Sequence, residues 1–224
     1  MRTRPRLTVL SFAAAATLLL GATACTDLDT ANAAGIGRDD MVSELAIQLA
    51  RVTGLTYTAK YQLTGGETAT VTQAQKPTRT AYLHPGGRLL ETVTGTVRCD
   101  RALNCTETDP APPAAGPLTG SNLITPESVL AMLNAAALDQ VVEAGQHDTT
   151  IAGRHATCLE LTGVDRAAAS AFGVCVTNEG ALASFTGTIA GERFDQALTA
   201  YEDTADLAAL ELPAAAKLTD KRSK

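Results

Sequence analysis

The stretch LTYTAKYQLTGGETATVTQAQ, residues 55–75, decides the fold. Leu55, Tyr57, Ala59, Tyr61 and Leu63 alternate with Thr56, Thr58, Lys60 and Gln62. A period of two is that of a half-buried strand, since successive side chains point to opposite faces. Gly65-Gly66 reads as a two-residue hairpin turn, and Thr68–Gln75 as the returning strand. Just upstream the period is helical. Asp39 and Asp40 sit where an N-cap belongs, Met41, Leu45, Leu49 and Val52 recur at helical spacing, and Gly54 ends the run. A helix thus leads directly into an antiparallel hairpin.

Downstream, Lys76-Pro77 breaks the chain and Thr80–Leu83 resumes it. His84-Pro85-Gly86-Gly87 turns, Leu89–Cys99 reads as one longer strand, and Cys105–Thr108 as a short one. Residues 109–120, DPAPPAAGPLTG, contain four prolines and form a loop. Thr125-Pro126-Glu127 is a helix start, with an N-cap Thr, Pro at the first helical position and an acid in the first turn. That helix runs to about Ala137 or Leu138. Strands are then expected at Val141–Gln146, Ala156–Leu161, Val174–Thr177 and Leu182–Ile189, with a short helix or loop at Val164–Phe172. Phe194–Tyr201 gives a last strand, Asp206–Leu210 a packed turn, and Leu212-Pro213 the close of the domain. Lys217–Lys224 reads as a basic frayed tail. The order of helix, strands, helix, strands predicts an α+β fold.

The chain has 224 residues, 18 Lys+Arg, 24 Asp+Glu and a formal net charge of −6. Arg2, Arg4 and Arg6 precede an uncharged run, Leu7–Ala24, that ends at Cys25. A positive start, an apolar stretch and small residues before the break are the marks of an export signal. Ala22-Thr23-Ala24-Cys25 resembles the lipobox of bacterial lipoproteins, in which the cysteine receives a diacylglyceryl group. Ordinary cleavage and a short uncleaved anchor fit the same residues, because 18 uncharged residues lie at the short edge of a membrane span. The lipobox resemblance implies a signal peptide at 1–24, lipid on Cys25, a flexible tether over 25–38 and residence on the extracytoplasmic face of the cell membrane. Two acyl chains suffice for stable anchoring. Without residues 1–24 the chain keeps fifteen bases against 24 acids. Such a domain is repelled by nucleic acid and by anionic lipid, so the lipid on Cys25 must hold it to the membrane.

Beyond Cys25 lie Cys99, Cys105, Cys158 and Cys175. An even number in an exported chain reads as disulfides. Four cysteines allow three connectivities; spacing favours Cys99–Cys105 and Cys158–Cys175. No C-x-x-C spacing points to redox chemistry or a metal. His147-Asp148, His155 and Cys158 form the one cluster with metal-ligand residue types, but Gly153 implies a turn between the histidines. There is no G-x-S-x-G, H-E-x-x-H or P-loop. No catalytic residue, metal or cofactor is therefore expected, and no enzymatic activity.

The helix at Leu45–Val52 leading into Leu55-Thr56-Tyr57-Thr58-Ala59, the T-P-E-S start at Thr125 and the closing Leu212-Pro213-Ala214-Ala215-Ala216-Lys217 carry a family resemblance. The last resembles an L-P-A-G-A-K ending, with Ala215 where Gly is usual. Over residues 39–218 the chain is similar to LolA/LolB-like and LppX/LprG-type actinobacterial lipoproteins, leaving 219–224 as a disordered tail. The resemblance implies a strongly curved antiparallel sheet, a half-barrel, with helices packed on its concave face. It also implies an apolar cavity for lipid, glycolipid or lipoprotein acyl chains, lined by Leu45, Leu49, Tyr57, Tyr61, Leu130 and Leu133. A carrier or chaperone is the expected function. The alternative is a structural or regulatory envelope module with no small-molecule ligand and a protein partner of unknown identity.

Overall fold

A computed structural model describes residues 37–111 and 116–223. The expected signal peptide at 1–24, Cys25 and the expected tether before Gly37 lie outside the described residues. Arg38, placed at the end of the tether by the sequence, already belongs to the first helix, α1 (Arg38–Ala50). Asp39 and Asp40 stand in its first turn, where they favour the positive end of the helix dipole. Val42, Leu45, Ala46 and Leu49 form its buried stripe. A 3₁₀ turn, Arg51–Gly54, buries Val52 and hands the chain to the first strand.

Six strands follow as a meander: β1 (Tyr57–Leu63), β2 (Thr68–Gln75), β3 (Thr78–His84), β4 (Gly87–Thr92), β5 (Thr96–Asp100) and β6 (Asn104–Thr108). The stretch expected as a single strand, Leu89–Cys99, is two. The Thr92 hydroxyl accepts from the Thr94 and Gly95 amides at 3.2 and 3.1 Å, and this local turn reverses the chain. The glycine pair also behaves differently from the expected two-residue turn: Thr64–Gly66 forms a 3₁₀ turn closed by Leu63 N–H donating to Glu67 O at 2.8 Å.

Helix α2 (Pro126–Ala137) begins as its sequence dictates, with the Thr125 side chain accepting from the Ser128 amide. Five more strands follow: β7 (Glu143–Ile151), β8 (Arg154–Thr162), β9 (Ala171–Thr177), β10 (Leu182–Ile189) and β11 (Glu192–Glu202). A short strand, β12 (Lys217–Asp220), ends the series. Residues 163–170 are loop. The strand expected at Val141–Gln146 starts later and runs five residues further. Seven of its nine residues are exposed, so no alternation marks its length.

Among the described residues the sheet has twelve strands in the order β12-β6-β5-β4-β3-β2-β1-β11-β10-β9-β8-β7. The two meanders meet where β1 pairs antiparallel with β11, with a register irregularity at Lys60/Tyr61. The class is α+β on a curved, unclosed sheet. On one face α1 and α2 pack with Leu159, Leu161, Phe172, Val174, Phe185 and Phe194. Further along that face Tyr57, Tyr61, Val71, Tyr82 and Leu89 pack under Leu118 and Leu123 of the proline-rich crossing.

The C-terminus differs from the expected frayed tail at its start, because Lys217–Asp220 is a strand. After β11 the chain crosses the opposite face. Asp206 N–H donates to Thr58 Oγ1 at 2.9 Å, and Arg88 donates to Glu211 O at 2.7 Å. Leu210, with Ala205, Leu212 and Ala216, covers Ala74, Ala81, Leu90 and Val97. The chain then adds β12, parallel to β6. The sequence hides this because β12 is exposed throughout and has no apolar pattern.

Candidate functional site

Both disulfides join residues directly opposite each other in antiparallel pairs: Cys99–Cys105 across β5 and β6, and Cys158–Cys175 across β8 and β9. The pairing favoured by spacing is the one present. His147 lies opposite Cys158 and His155 opposite Thr150, an odd number of residues apart along β8, so the histidines occupy opposite faces of the sheet. Among the described residues no group of His, Cys, Asp or Glu is placed to hold a metal.

The six residues expected to line a cavity fall into two packed groups. Leu45, Leu49 and Leu133 are buried between the helices and β8–β11, with Leu130 partly buried beside them. Tyr57 and Tyr61 belong to the neighbouring group under the crossing segment. Tyr61 donates its hydroxyl to Leu182 O at 2.8 Å. Burial pushes that hydroxyl's pKa far above the usual phenol value. Tyr57 stacks on Tyr201 with ring centroids 5.7 Å apart. The Arg154 guanidinium covers Tyr201 at 4.7 Å and is held by Glu179 and Asp203 at 3.0 and 3.1 Å.

Between the two groups lies Gln196, 0% exposed. Its Oε1 accepts from Ile124 N–H at 2.8 Å and its Nε2 donates to Ile124 O at 3.2 Å. Sequence reasoning missed it, because a glutamine in a strand ordinarily faces water.

Among the described residues, two clefts on the surface have substantial volume. One, of about 510 Å³, runs along the polar side of α1 past Asp40, Glu44 and Gln48. The other, of about 310 Å³, lies at the end of α2 beside Ala135, Leu138, Asp165 and Arg166. Neither is lined by any of the six residues.

On the Tyr82 side of the sheet, Glu91 lies opposite Thr80 and Thr96. Desolvation and the nearby Glu127 raise its pKa above the ordinary 4.5, with Arg98 opposing them. The unfolded chain therefore loses this proton first, so the destabilisation of the native state grows as pH rises from the unfolded pKa and is complete above the folded one. Glu91→Gln is expected to raise the melting temperature at pH 7 and to have no effect at pH 4, as thermal melts at the two pH values would show. Equal effects at both would assign the change to packing instead.

No protein-family model and no curated protein matches the chain. Solved structures do resemble it. An uncharacterized conserved protein from Thermus thermophilus is 12% identical with a TM-score of 0.49, over 81% of this chain and 99% of that one. MucB is 12% identical with a TM-score of 0.51, over 78% of this chain and 63% of its own. MucB has also been solved in complex with MucA(peri), where the TM-score is 0.45. The likeness to MucB is one of fold.

Proposed function

We propose that this chain is a lipid-anchored, extracytoplasmic interaction module of LolA-like build. On this reading the helices fill the concave side of a half-barrel, Cys25 carries the lipid, and the domain engages another polypeptide without covalent chemistry. One observation carries the choice between ligand classes. Leu45, Leu49, Leu133, Tyr57 and Tyr61 are all buried in packed groups, and a hydrogen-bonded glutamine joins those groups to the crossing segment. An interior filled by its own side chains favours recognition at the surface. A drug-sized ligand site needs a preformed space of roughly 300–1,000 Å³ with apolar walls.

The carrier reading draws on a different observation. Ala59, Ala69 and Ala136 put short side chains into the same interior, and Leu130 is only partly buried. An acyl chain could enter there if α2 moved off the sheet.

Native mass spectrometry of the exported Cys25→Ser protein separates the two. A bare polypeptide that takes up no added phospholipid is the expected result. A co-purifying mass that extracts into organic solvent would replace this reading with the carrier. The same variant is expected to leave the membrane fraction entirely; retention there would argue against lipid on Cys25.

A further inference from the structure

The face that carries Tyr57 and Tyr82 turns polar across β2–β5. Strand pairing aligns Tyr57, Gln73, Thr80, Glu91 and Thr96 in one row, and Tyr82 stands in the next row with Leu89 and Arg98. Directly paired residues share a face, as do residues two apart on a strand, so all of these project to the same side. Several of the polar groups are satisfied within the row. Gln73 Nε2 donates to Val52 O and Leu55 O at 2.6 and 2.9 Å, and its Oε1 accepts from Thr80 at 3.2 Å. Thr96 Oγ1 accepts from Ala111 N–H at 3.3 Å.

Tyr57, Tyr82, Glu91 and Glu127 are not satisfied. The two tyrosines are 2% and 3% exposed, yet neither hydroxyl has a hydrogen-bond partner among the described residues. A buried phenol ordinarily finds one, as Tyr61 of the same packed group does in Leu182 O. Glu91 and Glu127 likewise make no hydrogen bond or ion pair among the described residues. The four groups converge. Burial, then Tyr61 and Glu127, push the Tyr57 hydroxyl's pKa well above the phenol range; burial, then Glu127 and Glu91, do the same for Tyr82. After burial, Glu127 is also what raises Glu91 most. Such influence falls off with distance, so the first turn of α2 holds the Glu127 carboxyl close to both hydroxyls and to Glu91. Glu91 and Glu127 are half-buried, and the cluster is reached from their side.

We propose that Tyr57, Tyr82, Glu91 and Glu127 form a binding site for an alkylammonium group, presented by a lysine side chain of the protein's partner. Unmet polar groups gathered in one place mark a functional site, because each weakens the free protein until a ligand satisfies it. The two carboxylates repel an anion, and a neutral polyol would leave their charge uncompensated. Glu91 and Glu127 set against the nearby, exposed Arg98 leave one negative charge, which one ammonium balances. Acceptors arriving from β1, β3, β4 and α2 suit the radiating donors of an ammonium, whereas the planar fork of a guanidinium matches a single carboxylate. The source of the ammonium rests on the interaction-module reading; its chemistry rests on the cluster.

The test titrates the exported Cys25→Ser protein with butylamine, butanol and Nα-acetyl-lysine methylamide at constant ionic strength, followed by amide NMR shifts. Butylamine is expected to move signals in β3, β4 and the first turn of α2, and to bind at least tenfold more tightly than butanol. The lysine derivative is expected to bind at least as tightly as butylamine. Tyr82→Phe is expected to weaken both amines at least fivefold while leaving the melting temperature unchanged or raised, because the hydroxyl it removes has no partner to lose. Glu127→Gln, at the half-buried helix start, gives an at least tenfold loss should Tyr82→Phe fold poorly. Equal binding of butanol and butylamine, shifts confined to other elements, or a Tyr82→Phe protein that melts lower and binds as before would overturn the inference while leaving the module reading standing. Butylamine binding that the lysine derivative fails to match would overturn lysine as the source and leave a free amine in its place. A co-purifying lipid would remove the module reading and leave the titration as it is.

Discussion

Gly180→Ala is expected to lower the unfolding free energy by about 2–5 kcal/mol, combining backbone strain with overpacking. Gly180 lies in the turn between β9 and β10 with φ at +104°, a region L side chains rarely occupy. An added Cβ would stand 2.6 Å from Gln48 O in the last turn of α1 and 3.0 Å from Arg51 Cβ at the start of the 3₁₀ turn that follows it. That helix end is seated by Gln48 Nε2 donating to Thr177 O at 2.7 Å. The methyl group must displace either the helix or the turn. Gly153→Ala provides the control: φ there is +75° with nothing within 4 Å, so strain alone acts, at about 1–2 kcal/mol. Urea unfolding of both variants checks this through the midpoint at constant m. Equal losses would mean that the contact between α1 and the turn contributes nothing.

The same turn shows what the sequence can and cannot reveal. Asn178-Glu179-Gly180 reads as a turn from residue types alone, but its contact with α1 is long-range and leaves no local mark. Elements that carry a local mark are legible. β1 alternates, β2 matches its expected Thr68–Gln75 limits, and α2 has its Thr125 cap and Pro126. β7 and β12 lack that signal because water touches them on nearly every residue, so no alternation is selected. Likewise Ala81 looks like an interior partner of Ala59 and Ala69. It in fact lies on the opposite face with Ala74 and Leu90, under the C-terminal segment. Strand parity is local, but which face each strand buries depends on register against its neighbours. The six expected cavity residues show the same limit. Their hydrophobicity and period foretell burial, and burial by packing looks the same in sequence as burial around a void.

Gln196→Leu bears on that last distinction. Leucine matches the volume closely and suits an apolar interior, so an interior able to rearrange around ligand would accept it. Here the amide satisfies both backbone groups of Ile124, the residue before the Thr125 cap of α2. Removing it leaves a buried N–H and a buried C=O unpaired, each costing about 1–3 kcal/mol, for a loss of roughly 2–5 kcal/mol in all. Gln62→Leu, at an exposed position on neighbouring β1, is expected to change stability by less than about 0.5 kcal/mol. Equilibrium denaturation of the two variants compares one residue type in two environments. A large loss at Gln196 alone would establish the crossing segment as pinned to the sheet, the condition under which ligand recognition belongs to the surface. A neutral Gln196→Leu would mean that the segment and α2 can lift together, and would move the balance toward an acyl-chain carrier.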